Sequence, residues 1–354
     1  MLLLGAGGNT FEQVNQNIFS SSLLNPNDVH RSLYYLMNSL RQSKSNKTLN
    51  IANRLYVNEN FSLEDNFTDS TKKCYGANVT TLDFVKVNDT LEEINSWIDE
   101  KTNGRINKMV SDKSLNSSSK SLLVNGISFH GKWKSSFDAS NTRKEDFVIL
   151  NPNSSDLEHS KFVKVDMMKQ KHEYEHCYPK DIAAEFLKMP FEGDELSMLF
   201  ALPKEIDGIN DVLKNISKFN YSECFIQKKL KHEIDVELPK FDFKTNTNVK
   251  KLMQNIGVQD MFDSNKADFP GIDGEVSLDE IVHDVVIKIN EAGSVAGADA
   301  KTQSKSRSMK EDYEFHVDRP FLFMITENHY GTILFIGKVV DPTDGITINN
   351  INME

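Results

Sequence analysis

The residues NGISFHGKW, at positions 125–133, decide the fold of this chain. They follow the apolar run Leu122-Leu-Val, and Ile127 and Phe129 continue the apolar pattern at every second position. A period of two predicts a β-strand, which ends in a turn at Gly131. The same residues come close to the G-x-S-x-G motif of a nucleophilic serine, but the second glycine is one place late and no strand-to-helix turn follows. We therefore interpret the stretch as a strand without a catalytic serine.

The patterns on the two sides of this strand differ. Toward the amino terminus, Thr10 and Gln13 form a capping-box pattern, Asp28 opens a second amphipathic run, and residues 89–90 open a third that stops near Gly104. The first third of the chain therefore predicts helices. The remainder predicts strands at Phe186–Met189, Ser197–Ala201, Ile234–Leu238, Val285–Ile289, Phe321–Ile325 and Ile333–Val340. No linker or repeat divides the chain, which indicates one large mixed domain.

The composition excludes several classes of protein. Of the 354 residues, 38% are hydrophobic and 26% are charged, so the chain can bury a core and stay soluble. Its longest apolar runs, such as Leu196–Leu202, are too short to cross a bilayer. The net charge of -11 argues against nucleic acid as a partner, because affinity for phosphate backbones depends on excess Lys and Arg. We therefore expect neither a membrane nor a nucleic-acid partner.

The cysteines and asparagines of the sequence bear on whether the protein is extracellular or cytoplasmic. Cys74, Cys177 and Cys224 allow at most one disulfide and are too few for a disulfide framework or a Cys-based zinc site. The start of the chain has no basic residue and too short an apolar run for a signal peptide. Asn-X-Ser/Thr triplets would suit a glycosylated surface, although a chain rich in Asn and Ser also forms them by chance. They stand at Asn46, Asn60, Asn66, Asn78, Asn88, Asn116, Asn153, Asn215 and Asn220. We expect a secreted, extracellular glycoprotein, with a cytoplasmic location as the alternative.

Other motifs resemble chemical sites but have simpler interpretations. The residues HEYEH at 172–176 match the H-E-x-x-H pattern of zinc metalloproteases, which places both histidines on one helix face. The surrounding segment is typical of an extended strand, on which the two histidines would stand roughly 13 Å apart. The glycines at 5–8 lack the strand and third glycine of a dinucleotide-binding loop, and the basic run at 228–231 is typical of a solvated strand face. We therefore expect no metal, no cofactor and no enzymatic activity.

The most unusual segment covers residues 291–317, between two strong strands. It contains nothing able to anchor a core, and loops of this length are usually functional or disordered. From Ser294 to Ala300 every second residue is small, which is a strand pattern in a segment with the composition of a loop. Its second half offers trypsin-like proteases a bond to cleave after Arg307, with the basic Lys305 upstream. A solvated linker that happens to contain basic residues is the alternative.

Several short motifs occur in a characteristic order along the chain. They are NGISFHGKW at 125–133 with Phe137 and Asp138, Val165 with Met167 and Met168, LKMPFEGDELSML at 187–199 with Leu202-Pro203, LPKF at 238–241, EAGS at 291–294, DRPF at 318–321, LFIGK at 334–338 and Asp341-Pro342. Together they resemble the serpin family of serine protease inhibitors over nearly the whole chain. The resemblance implies a single α+β domain over residues 1–354, with three β-sheets, surrounding helices and an exposed reactive-centre loop at about 291–317. It also implies that the family's helix A, one strand of its sheet B and most of its helix B have no counterpart here.

The resemblance places a reactive bond in the loop. In inhibitory serpins this bond follows the seventeenth residue counted from the hinge glutamate, and with Glu291 as the first the seventeenth is Arg307. A trypsin-like serine protease would form a covalent acyl-enzyme with Arg307 and release Ser308, after which the loop would insert as a new central strand. Insertion requires small hinge residues. The hinge consists of Glu291, Ala292, Gly293, Ser294, Ala296, Gly297, Ala298 and Ala300.

Four further residues match positions that the family uses during insertion. Trp133 corresponds to a tryptophan under the top of the main sheet, where insertion begins, and Lys240 to a lysine that pairs with the hinge glutamate. Asn125 and His283 correspond to a polar pair in the middle of that sheet, which must form new contacts when the strands part.

The resemblance also sets expectations for partners. It implies a monomeric suicide-substrate inhibitor, with loop-sheet polymerisation as a hazard. The helix opened by Asp28 corresponds to one that binds glycosaminoglycans in some serpins, but its basic residues are sparse and we expect no heparin site. The alternative function is a serpin-fold protein that is cleaved as a substrate, or binds a ligand, without trapping a protease.

Overall fold

A computed structural model describes residues 1–19, 26–42, 49–150, 160–227, 231–293 and 313–343. They form two compact units. Among the described residues, one contains Met1–Ser128 and Lys244–Val286, and the other contains Phe129–Phe243 with residues 287–293 and 313–343.

The described ranges contain six α-helices and thirteen strands. The helices are α1 (Gly8–Phe19), α2 (Pro26–Gln42), α3 (Asp65–Tyr75), α4 (Val87–Lys101), α5 (Ile209–Asn215) and α6 (Val249–Asn255). The strands are β1 (Leu49–Asn58), β2 (Asn78–Leu82), β3 (Ser121–Phe129), β4 (Arg143–Ile149), β5 (Lys161–Cys177), β6 (Ala184–Pro190), β7 (Leu196–Pro203), β8 (Lys231–Pro239), β9 (Phe241–Asn248), β10 (Glu280–Ile289), β11 (Tyr313–His316), β12 (Phe321–Glu327) and β13 (Ile333–Val339). Within the described ranges, no helix combines the length and the apolar character needed to cross a membrane.

The first helix forms, but its predicted capping box does not. α1 begins two residues before Thr10, whose hydroxyl accepts a hydrogen bond from the backbone N–H of Asp268 at 3.0 Å. The side chain of Gln13 accepts bonds from the backbone N–H groups of residues 259 and 260, at 2.8 and 2.9 Å. The capping prediction is wrong because backbone donors distant in sequence reach both side chains, which tie α1 to that segment instead of closing the helix end.

The first sheet has five strands in the order β2-β1-β3-β10-β9. Two of them, β1 and β2, lie in the first third of the chain, so the prediction that this third is helical is wrong there. β1 is buried on both faces, since Leu55 and Val57 pack in one hydrophobic cluster and Ala52 and Tyr56 in another. Burial on both faces removes the alternation of apolar and polar residues, which is why the sequence pattern does not reveal this strand.

The second sheet contains eight strands. Seven follow the order β11-β8-β5-β6-β7-β12-β13, and β4 pairs with the start of β5. β5 is 17 residues long and pairs at its far end with β6, so the second and third sheets expected from the family are one hydrogen-bonded sheet here. The strands predicted at Phe186, Ser197, Ile234, Phe321 and Ile333 are confirmed as β6, β7, β8, β12 and β13.

β3 and β10 are neighbours in the first sheet and run in the same direction. At their start, the N–H of Asp279 donates to the carbonyl of Ser121 at 3.0 Å. Beyond their other end, the N–H of Trp133 donates to the carbonyl of Ala292 at 2.9 Å. No other strand of the described ranges lies between them. An antiparallel strand entering this position would find pairing partners on both of its edges.

One disulfide is present among the described cysteines. It joins Cys177, at the end of β5, to Cys224, with Cα atoms 5.6 Å apart. Cys74 in α3 keeps its thiol. This agrees with the expectation of at most one bridge, and it links the second sheet to the short helical segment Ser222–Ile226.

Candidate functional site

Trp133 lies just after β3 and is 3% exposed. Its indole ring stacks on Phe191, with ring centroids 4.6 Å apart and an interplanar angle of 6°. The indole Nε1 donates to the carbonyl of Asn290 at 3.1 Å, and the backbone N–H of Trp133 donates to the carbonyl of Ala292 at 2.9 Å. Trp133 therefore holds the chain after β10 at two points.

A tight turn at residues 290–293 follows β10. The N–H of Asn290 donates to the carbonyl of Gly293 at 2.6 Å, and the N–H of Gly293 donates back at 2.9 Å. Gly293 has a φ of +113°, and a Cβ atom at this position would overlap the carbonyl oxygen of Gly131. Only glycine satisfies both the backbone angle and the available space. The start of the hinge is thus packed against the turn that follows β3.

The Glu291 carboxylate is the charged centre of this region. Its Oε1 lies 2.5 Å from Nζ of Lys240 and accepts a hydrogen bond from the hydroxyl of Thr142 at 2.8 Å. Its carbonyl accepts a further bond from the N–H of Phe137 at 2.9 Å. Burial raises the pKa of Glu291, but hydrogen bonds from Lys240, the backbone and Thr142 outweigh this and hold it below its ordinary value. The carboxylate is therefore ionised at neutral pH and anchors the first hinge residue.

A second polar group lies in the first unit, across three adjacent strands. His283 of β10 donates from Nδ1 to Oδ1 of Asn125 on β3, and Nδ2 of Asn125 donates to Oδ1 of Asn53 on β1. Burial lowers the pKa of His283, and the bond with Asn125 only partly opposes that effect. The imidazole is therefore neutral at physiological pH. Separation of β3 from β10 requires that the bond between His283 and Asn125 break.

The predicted residues divide into those that the structure brings together and those it does not describe. Trp133, Lys240 and Glu291–Gly293 meet in one unit, and Asn125 meets His283 in the other. The reactive-bond residues and most of the hinge lie outside the described ranges. They are Arg307, Ser308, Lys305, Ser294, Ala296, Gly297, Ala298 and Ala300.

Three contributors were not expected from the sequence: Thr142, Asn290 and Asn53. Thr142 is 149 positions from Glu291, and Asn53 is 72 positions from Asn125, so no local pattern relates them. Asn53 lies in β1 among other polar residues, such as Asn50 and Arg54, so the sequence does not distinguish it. Thr142 and Asn290 carry no signal either.

The segment with the H-E-x-x-H pattern is a strand, as the sequence predicts. Its two histidines have separate partners: Nε2 of His172 lies 2.8 Å from Oγ of Ser135, and His176 contacts Glu185 and His232.

The asparagines of most triplets lie on the surface. Those exposed are Asn60, Asn66, Asn78, Asn88, Asn116 and Asn220. Asn215 is half-buried, and its side chain donates to the carbonyl of Asp211 at 2.9 Å. Asn46 and Asn153 lie outside the described ranges.

Known proteins are similar to this chain along almost its whole length. The family model Serpin (serine protease inhibitor) matches residues 1–342. Leukocyte elastase inhibitor A of Mus musculus is 31% identical over 350 residues, which cover 97% of this chain and 89% of that protein.

Solved structures show the same fold. Serpin48 of the insect Tenebrio molitor matches with a TM-score of 0.80 at 27% identity, over 96% of this chain and 88% of that chain. Human thyroxine-binding globulin, in complex with its hormone, matches with a TM-score of 0.80 at 26% identity, over 97% of this chain and 88% of that chain. The order of motifs, the two sheets and these similarities agree, and the chain belongs to the serpin family of serine protease inhibitors.

Proposed function

We propose that the chain inhibits trypsin-like serine proteases by trapping them as covalent acyl-enzymes at Arg307. The hinge carries the proposal. Residues 291–293 are held by backbone and ion-pair contacts beyond the end of two parallel neighbouring strands, and Arg307 is the seventeenth residue counted from Glu291. The guanidinium of Arg307 suits the acidic specificity pocket of a trypsin-like protease.

The proposed reaction begins as ordinary proteolysis. The catalytic serine of the protease attacks the carbonyl carbon of Arg307, an ester forms, and the peptide bond to Ser308 breaks. The amine of Ser308 leaves with a proton supplied by the catalytic histidine of the protease. At this stage the inhibitor behaves as a substrate, and hydrolysis of the ester would complete the cleavage.

Insertion of the freed loop then competes with hydrolysis. Residues 294–307 span roughly 46 Å when extended at about 3.3 Å per residue, and would enter between β3 and β10 as an antiparallel strand. Entry breaks the backbone pairing between β3 and β10, the bond between His283 and Asn125 and the backbone bond between Trp133 and Ala292. Each lost bond costs about 1 kcal/mol, whereas the new strand forms backbone bonds along both edges. The ester moves with the strand, and strain on the protease disrupts its oxyanion hole before water can act.

Incubation with trypsin followed by denaturing gel electrophoresis tests this function. We expect a complex that survives SDS. Arg307→Ala should abolish the complex, whereas the matched change Lys305→Ala should retain it. Ser294→Arg should leave cleavage intact and abolish the complex, because a charged side chain at an inward hinge position cannot be buried.

The alternative is a serpin-fold protein that is cleaved, or binds a ligand, without trapping. Complete cleavage of the unmodified protein by trypsin with no stable complex would support this alternative and refute trapping. A stable complex formed by the Ser294→Arg variant would refute insertion as the source of the trap.

For the location we propose an oxidising extracellular compartment. The bridge between Cys177 and Cys224 supports it, since such bridges persist outside the reducing cytosol, and so do the exposed triplets. Thiol titration of the unreduced protein from its source tests it: a reduced bridge would favour the cytoplasm.

A further inference from the structure

Two histidines of the second sheet are in direct contact. Nε2 of His176, at the end of β5, lies 2.8 Å from Nδ1 of His232, at the start of β8. Nδ1 of His176 lies 3.2 Å from a carboxylate oxygen of Glu185 on β6, and the His176 side chain is 7% exposed. The carboxylate can only accept, so Nδ1 of His176 carries a hydrogen.

This arrangement limits the number of protons that the pair can bind. When both rings are neutral, Nδ1–H of His232 donates to the lone pair on Nε2 of His176. With one added proton, a single hydrogen still lies between the two nitrogens, and Glu185 balances the charge. A second added proton places two N–H groups and two positive charges against each other at 2.8 Å. The contact between His176 and His232 must then break.

The pair supports a short strand at the sheet edge. The ring of Tyr313, the first residue of β11, has its centroid 4.9 Å from that of His176 and 4.8 Å from that of His232. β11 has only four residues and, within the described chain, pairs only with β8. Its other anchors are the buried Phe315 and the contact of His316 with Glu237 at 3.0 Å. Backbone pairing with β8 also holds β11, and the contact with the imidazole pair anchors the ring of its first residue.

The other charged and titratable groups near the pair would not release β11 when the pH falls. Glu185 faces it from β6, and burial, together with a hydrogen bond to Glu185, raises the pKa of Tyr178, so the phenol stays protonated. Nζ of Lys204 lies 6.0 Å from the ring of Tyr178. Neighbours on β5 and β8 point to the opposite face, where Glu175 pairs with Lys188 and Glu233 with Lys171. On β11, protonation of His316 strengthens its contact with Glu237, so that group opposes release in acid.

We propose that the His176–His232 pair is an acid-sensitive latch that holds β11 to the sheet and releases it when both imidazoles are protonated. β11 begins directly after residues 294–312 in the sequence, the stretch that contains the proposed reactive bond. The latch goes beyond protease inhibition, since strand release is a property of the sheet. Only its consequence for inhibition rests on the proposed function: release of β11 would prevent the reactive bond from being presented to a protease.

Hydrogen–deuterium exchange of the β11 amides at pH 7.5 and 5.5 measures the latch. These values bracket the ordinary histidine pKa of about 6.5. After correction for intrinsic exchange, we expect the protection of β11 to fall about tenfold or more at pH 5.5, while the protection of β7 stays constant. His232→Gln should reduce the pH effect to less than twofold, because the amide keeps a hydrogen bond and cannot titrate. The matched change His316→Gln should keep the full effect.

Equal protection of β11 at both pH values in the unmodified protein would overturn the latch, as would a full pH effect in His232→Gln. If that variant does not fold, His176→Gln makes the same test, and the unmodified protein with His316→Gln still decides whether β11 responds to acid. In a second measurement, the protein is held at pH 5.5, returned to pH 7.5 and assayed for trypsin complexes. Absence of trypsin complexes even without acid treatment would refute the proposed function. The hydrogen–deuterium exchange of β11 would still test the latch in that case.

Discussion

At the scale of single residues, the contacts of the Glu291 carboxylate hold the start of the predicted hinge in place. The Glu291 side chain is 16% exposed, and it keeps its charge because Lys240 and Thr142 both contact it. A carboxylate at this depth needs such partners, since desolvation without compensation costs several kcal/mol. Another ion pair in the same unit, Lys288 with Asp242 at 3.1 Å, is exposed to 63% and 56% and therefore contributes little.

Replacement of Lys240 by methionine should destabilise the native state by roughly 1–2 kcal/mol, because it leaves the Glu291 carboxylate with fewer hydrogen-bond donors. Thermal unfolding at a fixed scan rate measures the effect. The matched change Lys288→Met should cost less than about 0.5 kcal/mol. Equal losses in the two variants would mean that the contact between Lys240 and Glu291 does not stabilise the hinge.

His283 makes stability depend on pH. Above pH 6.5 the imidazole is neutral in both folded and unfolded chains and contributes no pH dependence. Below that value the unfolded chain binds a proton, whereas the folded chain resists it, because burial lowers the pKa of His283. Its contribution should therefore be lost as the pH falls from about 6.5 toward the folded pKa, by up to about 1.4 kcal/mol per pH unit.

Urea unfolding between pH 7.5 and 5 checks this dependence. His283→Gln should flatten the pH profile, while His329→Gln, at an exposed position, should leave it unchanged. An unchanged profile in His283→Gln would show that other groups control the acid response.

Strands and helices differ in how far their sequences reveal them. β7 and β12 consist mostly of apolar residues and are buried at every position, and both are predicted correctly. β1 contains Asn53, Arg54 and Asn58 among its apolar residues, and burial on both faces hides its period of two. The capping pattern of Thr10 and Gln13 gives a wrong prediction because it considers only hydrogen bonds within the first turn of the helix. In the structure, backbone N–H groups some 250 positions away donate to these side chains instead.

The disulfide joins two elements, the end of β5 and the segment Ser222–Ile226. It closes a loop with a sequence separation of 47 residues, and removal of such a bridge costs roughly 3–4 kcal/mol. We expect the double variant Cys177→Ala, Cys224→Ala to unfold at clearly lower urea concentration, and Cys74→Ser to behave like the unmodified protein. Thiol titration of the unfolded, unreduced protein should find one thiol per chain, that of Cys74. Three thiols would contradict both the bridge and the extracellular location.

For the whole molecule, the proposed trapping requires both a stable sheet and a position in it that a further strand can enter. Within the described ranges β3 and β10 are parallel neighbours, and the proposed trapping requires that they part to accept a strand between them. Under the proposed function, the native chain persists because opening is slow, and not because it has reached its lowest free energy. Under the same proposal, the parted strands would also accept the loop of a second molecule, which is the physical basis of the expected polymerisation hazard.

The sequence by itself determined the family, five strands of the second sheet (β6, β7, β8, β12 and β13) and the count that selects Arg307, because these depend on residue identity and order along the chain. Only the tertiary structure decided which partners those residues meet: Thr142 on Glu291, Asn53 on Asn125, His232 on His176, and Cys224 on Cys177. The members of each pair lie 47 to 149 positions apart. Hydrophobic periodicity and secondary-structure propensity depend only on residues close to one another in the sequence. A contact between two side chains depends on how distant strands are placed in a sheet.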